Sequence, residues 1–151
     1  MRELIVDLDA IAHNLATMTA KVTRHDDTRP LVMCVVKADA YGHGMIPVAR
    51  KLESVGADYL GVADIAEALA LRNAGIDLPI LAWLHSPRET FAAALSAGIE
   101  LGVANIEQLD RIATAAKQSG RVARVHLKID TGLGRNGSTE AEWHALLERV
   151  K

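Results

Sequence analysis

Two stretches hold the residues whose types and spacing could do chemistry. The first, VMCVVKADAYGHG at residues 32 to 44, is an apolar run that stops at Lys37 and breaks at once into Asp39, Tyr41, Gly42, His43 and Gly44. An ammonium at the mouth of a buried strand loses solvation among apolar walls. Its pKa falls, and it becomes a nucleophile able to form a Schiff base with an aldehyde. Tyr41 offers an aromatic body and a hydroxyl that could position a cofactor, although such a tyrosine also serves as core or rim filler. Gly42 and Gly44 permit a sharp turn and leave backbone amides open to an anion. His43 reads equally as a helix-start residue or a member of a hydrogen-bond network, and Asp39 as a turn organiser or a substrate contact. A lone lysine ending a strand is usually a solvated cap; these neighbours shift the reading toward chemistry.

The second stretch, VHLKIDTGLGRNG, covers residues 125 to 137. Period-two alternation puts His126, Lys128 and Asp130 on one face of a strand. A buried polar face of both charge signs is expensive unless it is paired or used, so a Lys128–Asp130 ion pair is the structural alternative to a functional role. Arg135 is carried by a loop with glycines at 132, 134 and 137, and its guanidinium fork suits a carboxylate or a phenolate oxygen. The glycine spacing is not that of a nucleotide loop, and HExxH, CxxC, Walker and GxSxG motifs are absent. The histidines at 13, 25, 85, 126 and 144 are too scattered for a short-range metal site. Trp83 reads as pocket-facing or core, His85 as a surface loop residue, and Asn105 and Glu107 as a helix cap and first-turn acid.

These residues need a frame. ELIVDL (3–8) is strand-like, with Asp9 capping a helix from Ala10 to about Val22, and HDDTRP (25–30) ends that unit. LVMCVV (31–36), DYLGVA (58–63), PILAWL (79–84), GIELGVA (98–104) and RVHLKI (124–129) are strand-like as well. Helical patterns fill 45–55, 64–73, 87–97 and 105–118, with Gly56, Gly75, Gly98 and Gly120 just past their ends. The alternation predicts an α/β fold with a parallel sheet covered by helices. Active residues after several successive strands favour a TIM-like (β/α) barrel over a doubly wound sheet. Five or so strands fall short of the eight that close a barrel. The final TEAEWHALLERVK presents Trp143, Leu146, Leu147 and Val150 with no obvious surface to dock on. We therefore expect an incomplete barrel, the N-terminal piece of a longer polypeptide, with a small complete α/β domain as the alternative.

The chain has 151 residues, half of them apolar, and a net charge of -2, which is enough for one sizeable core and leaves no basic stripe for nucleic acid. Lys21, Arg24 and Arg29 form only a loose basic run that Asp26 and Asp27 interrupt. The single cysteine, Cys34, cannot form an internal disulfide and fits a reducing cytoplasm. Neither a signal peptide nor a long apolar span is present, so no membrane role is expected.

VVKADAYGHG (35–44) and HLKIDTGLGRNG (126–137) together resemble alanine racemase, a pyridoxal-phosphate enzyme with a TIM-like barrel followed by a β-rich domain. The opening LIVDLDAIAHNL is similar too, so the resemblance covers nearly the whole chain, which amounts to well under half of such an enzyme. ILAWLH and LGRNG look like actinobacterial members. The resemblance implies that Lys37 holds pyridoxal 5'-phosphate covalently and serves as one catalytic base, and that Tyr41 contacts the cofactor near its phosphate. It implies that Arg135 contacts the cofactor's phenolate oxygen and the substrate carboxylate. It further implies that Lys128 matches a lysine carbamylated in many members, where the added negative charge orients the neighbouring arginine. Leu133 stands where many members have methionine.

The implied activity is interconversion of L- and D-alanine by a cytoplasmic homodimer, supplying D-alanine for peptidoglycan, without a metal. The second acid/base, a tyrosine from the partner subunit's C-terminal domain, matches no position in this chain. The later barrel strands, which supply phosphate and ring-nitrogen contacts, match none either, and the chain alone is expected to be inactive. The competing readings are a serine or broad-specificity racemase of the same fold, a pyridoxal-phosphate homeostasis protein, and a non-catalytic, self-associating barrel fragment. The ADAYGHG and DTGLGRNG pair argues against the homeostasis proteins.

Overall fold

A computed structural model describes residues 1–24 and 28–150; His25, Asp26 and Asp27, which the sequence reading placed at the end of the first helical unit, lie outside the described residues, as does Lys151. Among the described residues, five short parallel strands, β1 (Met33–Val35), β2 (Tyr59–Val62), β3 (Ile80–Ala82), β4 (Glu100–Val103) and β5 (Val125–Leu127), are hydrogen-bonded in sequence order. An order that never reverses, joined by helical crossovers, lays the helices along one side of the sheet. That is the opening of a barrel and not a doubly wound sheet.

The two faces of the sheet are chemically different. Leu60, Val62, Ile80, Ala82, Leu101 and Val103 are fully buried beneath the helices. The register pairs Leu60 with Ile80 and Leu101 with Val125, so alternation turns Tyr59, Gly61, Leu81, Glu100, Gly102 and His126 to the opposite, inward face. The crossover helices α3 (Met45–Ser54), α4 (Ile65–Asn73) and α6 (Ile106–Ser119) follow the expected segments, and α5 (Ala92–Ser96) fills only part of its own. Gly56, Gly75, Gly98 and Gly120 all take positive φ where the chain leaves them. Asn105 caps α6 by accepting from the Gln108 amide, and Glu107 lies in the first turn, as the sequence implied.

Several expectations need correction. Residues 3–6 form no strand; Leu4 and Ile5 are exposed, and the first element is α1 (Leu8–Val22). Its cap is Asp7, whose Oδ1 accepts from the amides of Asp9 and Ala10. Asp9 instead pairs with Lys51 on α3 at 2.6 Å, an ion pair that holds its pKa below the usual carboxylate value. Arg29, as the interrupted basic run implied, serves structure: it grips Asp58 with both terminal nitrogens, and Asp58 also accepts from the Val32 amide, fixing the chain as it enters β1. Helix α5 begins five residues later than the pattern suggested, because Arg111 of α6 takes the carbonyls of Pro87 and Glu89 that a longer helix would use. The last helix, α7 (Glu140–Val150), does find a surface. Leu146 is fully buried and Trp143 packs on the same core, while Val150 stays exposed.

Candidate active site

Lys37 leaves β1 directly into a segment whose conformation the sequence did not signal. In α2 (Lys37–Gly42), Ala38, Asp39, Ala40 and Tyr41 have φ of 50 to 54° and ψ of 38 to 49°, a left-handed helical turn made of four non-glycine residues. Left-handed geometry costs an L-residue about 1–2 kcal/mol, so the surroundings must impose it. They do so with hydrogen bonds. The Ala40 amide donates to the Val36 carbonyl at 2.9 Å and the Gly44 amide to the Asp39 carbonyl at 3.0 Å. His43 Nδ1 lies 2.7 Å from the Ala40 carbonyl, and Asp39 Oδ1 accepts from the Met45 amide at 2.7 Å. Asp39 and His43 are therefore turn organisers here, and the Gly44 amide is occupied within the turn. The turn carries Tyr41 back beside its neighbour: Lys37 Nζ sits 4.5 Å from the centroid of the exposed Tyr41 ring, a cation–π contact.

Lys128 emerges at the same end of the sheet, beyond β5. Its ammonium donates to the Trp83 carbonyl at 3.1 Å and to the Asn136 side-chain oxygen. Burial, and then the positive charge of Arg135, push its pKa below the usual lysine value. The Lys128–Asp130 ion pair, the structural alternative to a functional role, does not form. Asp130 Oδ1 accepts from the amides of Gly132 and Gly134, which lowers its pKa and folds the loop on itself. That loop presents Arg135 to solvent. Glycine is required at 137, where φ is +131° and a Cβ would stand 2.6 Å from the Asp130 nitrogen.

Trp83 faces inward. A Cβ on Gly61 would lie 2.6 Å from its ring and one on Gly102 2.8 Å from its Cα, so Gly61 makes room for the indole and Gly102 for the backbone that carries it. His85 is not a surface residue: it packs edge-on to Phe91 at 5.5 Å, and neither buried ring nitrogen makes a hydrogen bond of normal geometry. Burial pushes its pKa down.

At the far end of the inward face lies a cluster the sequence reading missed. Glu100, with its side chain 7% exposed, accepts from the Tyr59 hydroxyl and from His126 Nε2, both at 2.6 Å, with Arg124 at 3.5 Å. Burial raises the carboxyl pKa, but the bonds from Tyr59 and His126 outweigh it and hold the group below its ordinary value. Burial, then the neighbouring carboxylate, push Tyr59 up to about 12. A glutamate inside the otherwise apolar GIELGVA run was the available signal. His126 is thus tied to the floor, two residues below Lys128.

An amine at a strand end, a second amine with depressed pKa, an arginine on a glycine loop and an indole across the mouth form a donor set that suits an anionic aromatic aldehyde. Among the described residues no group of three His, Cys, Asp or Glu could hold a metal ion, and no helix is long and apolar enough to cross a membrane.

Fold and site together define the first part of a (β/α) barrel that carries Lys37, Lys128 and Arg135 beyond the carboxyl ends of its strands. Residues 6–151 match the family described as alanine racemase, N-terminal domain, and the chain belongs to that family. It is 51% identical over 144 residues to the alanine racemase of Frankia casuarinae and 50% identical over 143 residues to that of Thermobifida fusca. Each alignment covers 95% of this chain but only 36% and 37% of those proteins, so the chain spans little more than a third of their length. The crystal structure of alanine racemase from D-cycloserine producing Streptomyces lavendulae superposes with a TM-score of 0.90 at 41% identity, covering 96% of this chain and 37% of that one. A histidine racemase from Leuconostoc mesenteroides subsp. sake superposes at 0.81 with 27% identity, over 95% of this chain and 37% of that one.

Proposed function

We propose that residues 1–151 are the lysine-bearing N-terminal part of the barrel of a pyridoxal-phosphate-dependent alanine racemase, acting in D-alanine supply for peptidoglycan. The observation that carries the reading is the position of Lys37, at the carboxyl end of β1 on a turn held left-handed by bonds to its surroundings, in a chain about half identical to alanine racemases. When bound, pyridoxal phosphate supplies an aldehyde carbon and an electron-withdrawing ring that stabilise charge at an amino acid's α-carbon.

The chain's own residues do the rest. Lys37 would hold the cofactor, and its amine would take or return the α-proton on one face. Tyr41 anchors the phosphate side. The Arg135 fork binds the substrate carboxylate and the cofactor's phenolate oxygen. Lys128, with its depressed pKa, has more free amine available to add CO2, and the carbamate so formed, with loss of one proton, turns its repulsion of Arg135 into attraction. Proton transfer on the other face falls to a residue outside this chain, from the partner subunit of a homodimer. We place the protein in the cytoplasm, where the half-buried thiol of Cys34 stays reduced.

The likeness to a histidine racemase leaves the substrate side chain to residues beyond this half-barrel. The test is a chimera in which residues 1–151 replace the matching third of the Streptomyces lavendulae enzyme. D-alanine formation that disappears with Lys37→Ala supports the proposal, with no activity expected from the 151-residue chain alone. An inactive but folded, dimeric chimera, or turnover by the isolated chain, would overturn it.

A further inference from the structure

Glu67 on α4 is the residue to which the turn after Lys37 is tied. Its Oε1 accepts from the Ala38 amide at 2.6 Å, and its Oε2 from the Ala63 amide at 2.8 Å. Its own amide is bonded by the cap residue Asp64 at 2.9 Å. Ala38 is the first residue beyond Lys37, and Ala63 the first beyond β2, so one carboxylate locks the exits of two neighbouring strands to each other.

Helix α6 provides an internal comparison. Gln108 occupies the place that Glu67 occupies in α4: its amide is bonded by the cap residue Asn105, and its Oε1 accepts from the Ala104 amide, just beyond β4, at 2.9 Å. A glutamine therefore suffices to close a helix start onto the strand before it. Only a carboxylate has a second acceptor oxygen with no donor in the way, and in α4 that second oxygen goes to Ala38.

We infer that Glu67 is a positioning residue for Lys37: its Oε1 fixes the left-handed turn and thereby the direction in which the Lys37 amine leaves the strand. The consequence for catalysis rests on reading Lys37 as the cofactor lysine.

The test is E67Q in the full chain, a substitution that copies Gln108 and keeps the bond to Ala63. Amide hydrogen exchange is read at Ala38 and Ala63, and the Lys37 amine is followed by reductive ¹³C-methylation and NMR. Exchange at Ala38 should speed up at least tenfold while Ala63 stays within about twofold, and the Lys37 methyl signal should change position. Unchanged exchange at Ala38, or an unchanged Lys37 signal, overturns the inference. So does an E67Q chain that fails to fold, or one losing Ala38 and Ala63 protection equally, because Glu67 would then be only a helix closure. Borohydride trapping of pyridoxal phosphate on the wild-type chain is run in parallel. Its failure at Lys37 would count against the cofactor reading and leave exchange and methyl signals to decide Glu67.

Discussion

Replacing Ala38 by glycine should stabilise the protein, the reverse of the usual effect of that substitution. Ala38 has φ 54° and ψ 49°, its methyl group is exposed, and its amide bond to Glu67 survives the change. Removing the Cβ relieves about 1–2 kcal/mol of left-handed strain. Glycine's greater freedom in the unfolded chain takes back roughly 0.5–1 kcal/mol. The net is a gain of up to about 1.5 kcal/mol, with Tm rising about 2–4 °C per kcal/mol for a chain of this size. Ala113, exposed on right-handed α6, is the matched control, and Ala113→Gly should lose about 1 kcal/mol. Urea unfolding of both variants, with m held constant, reads the difference in sign. If Ala38→Gly destabilises as much as Ala113→Gly, the turn after Lys37 is not left-handed and the argument built on it fails.

Other outcomes follow from the inward face and the rim. Glu100→Ala should lose about 1–3 kcal/mol by stranding the Tyr59 hydroxyl and His126. Because the folded Glu100 pKa lies below the unfolded one, its contribution is present above the ordinary glutamate pKa and lost as pH falls toward the folded value; acid unfolding of wild type and variant should converge there. Gly102→Ala should cost about 1–3 kcal/mol by denaturation, since the new Cβ would stand 2.8 Å from Trp83 Cα and 3.2 Å from Lys128 Cδ. His85→Leu should change stability at neutral pH by no more than about 1 kcal/mol in either direction, as the ring nitrogens it removes are buried without a hydrogen bond of normal geometry. The lowered His85 pKa means its neutral form is favoured in the fold, so wild type alone should weaken as pH drops below the ordinary histidine pKa, about 6.5.

The sheet and its helices were legible because buried parallel strands are continuous apolar runs and the crossover helices end at glycines. LVMCVV and GIELGVA announced themselves, as did Gly56 and Gly120. The left-handed turn was not legible: Ala-Asp-Ala-Tyr contains no residue that prefers that region strongly, and one of the bonds that hold it comes from Glu67, 29 residues away. Asp64 followed three positions later by Glu67 was readable as a helix start, but nothing local reveals that the second oxygen reaches Ala38. ELIVDL carries a strand pattern, yet residues 3–6 pair with nothing in the sheet, and alternation alone does not supply a partner. Lys37, Lys128 and Arg135 were named from their neighbours in sequence; the Asn136 and Trp83 carbonyl contacts of Lys128 depend on how strand ends meet.

The most direct measurement is made on the chimera completed with the remainder of the Streptomyces lavendulae enzyme. Pyridoxal phosphate is added, the protein is reduced with borohydride, and the modified peptide is located by mass spectrometry. One cofactor-derived group per subunit on the peptide containing Lys37, absent in Lys37→Ala, is the predicted result. Labelling centred on Lys128, or scattered over exposed lysines with Lys37 unmodified, would contradict it.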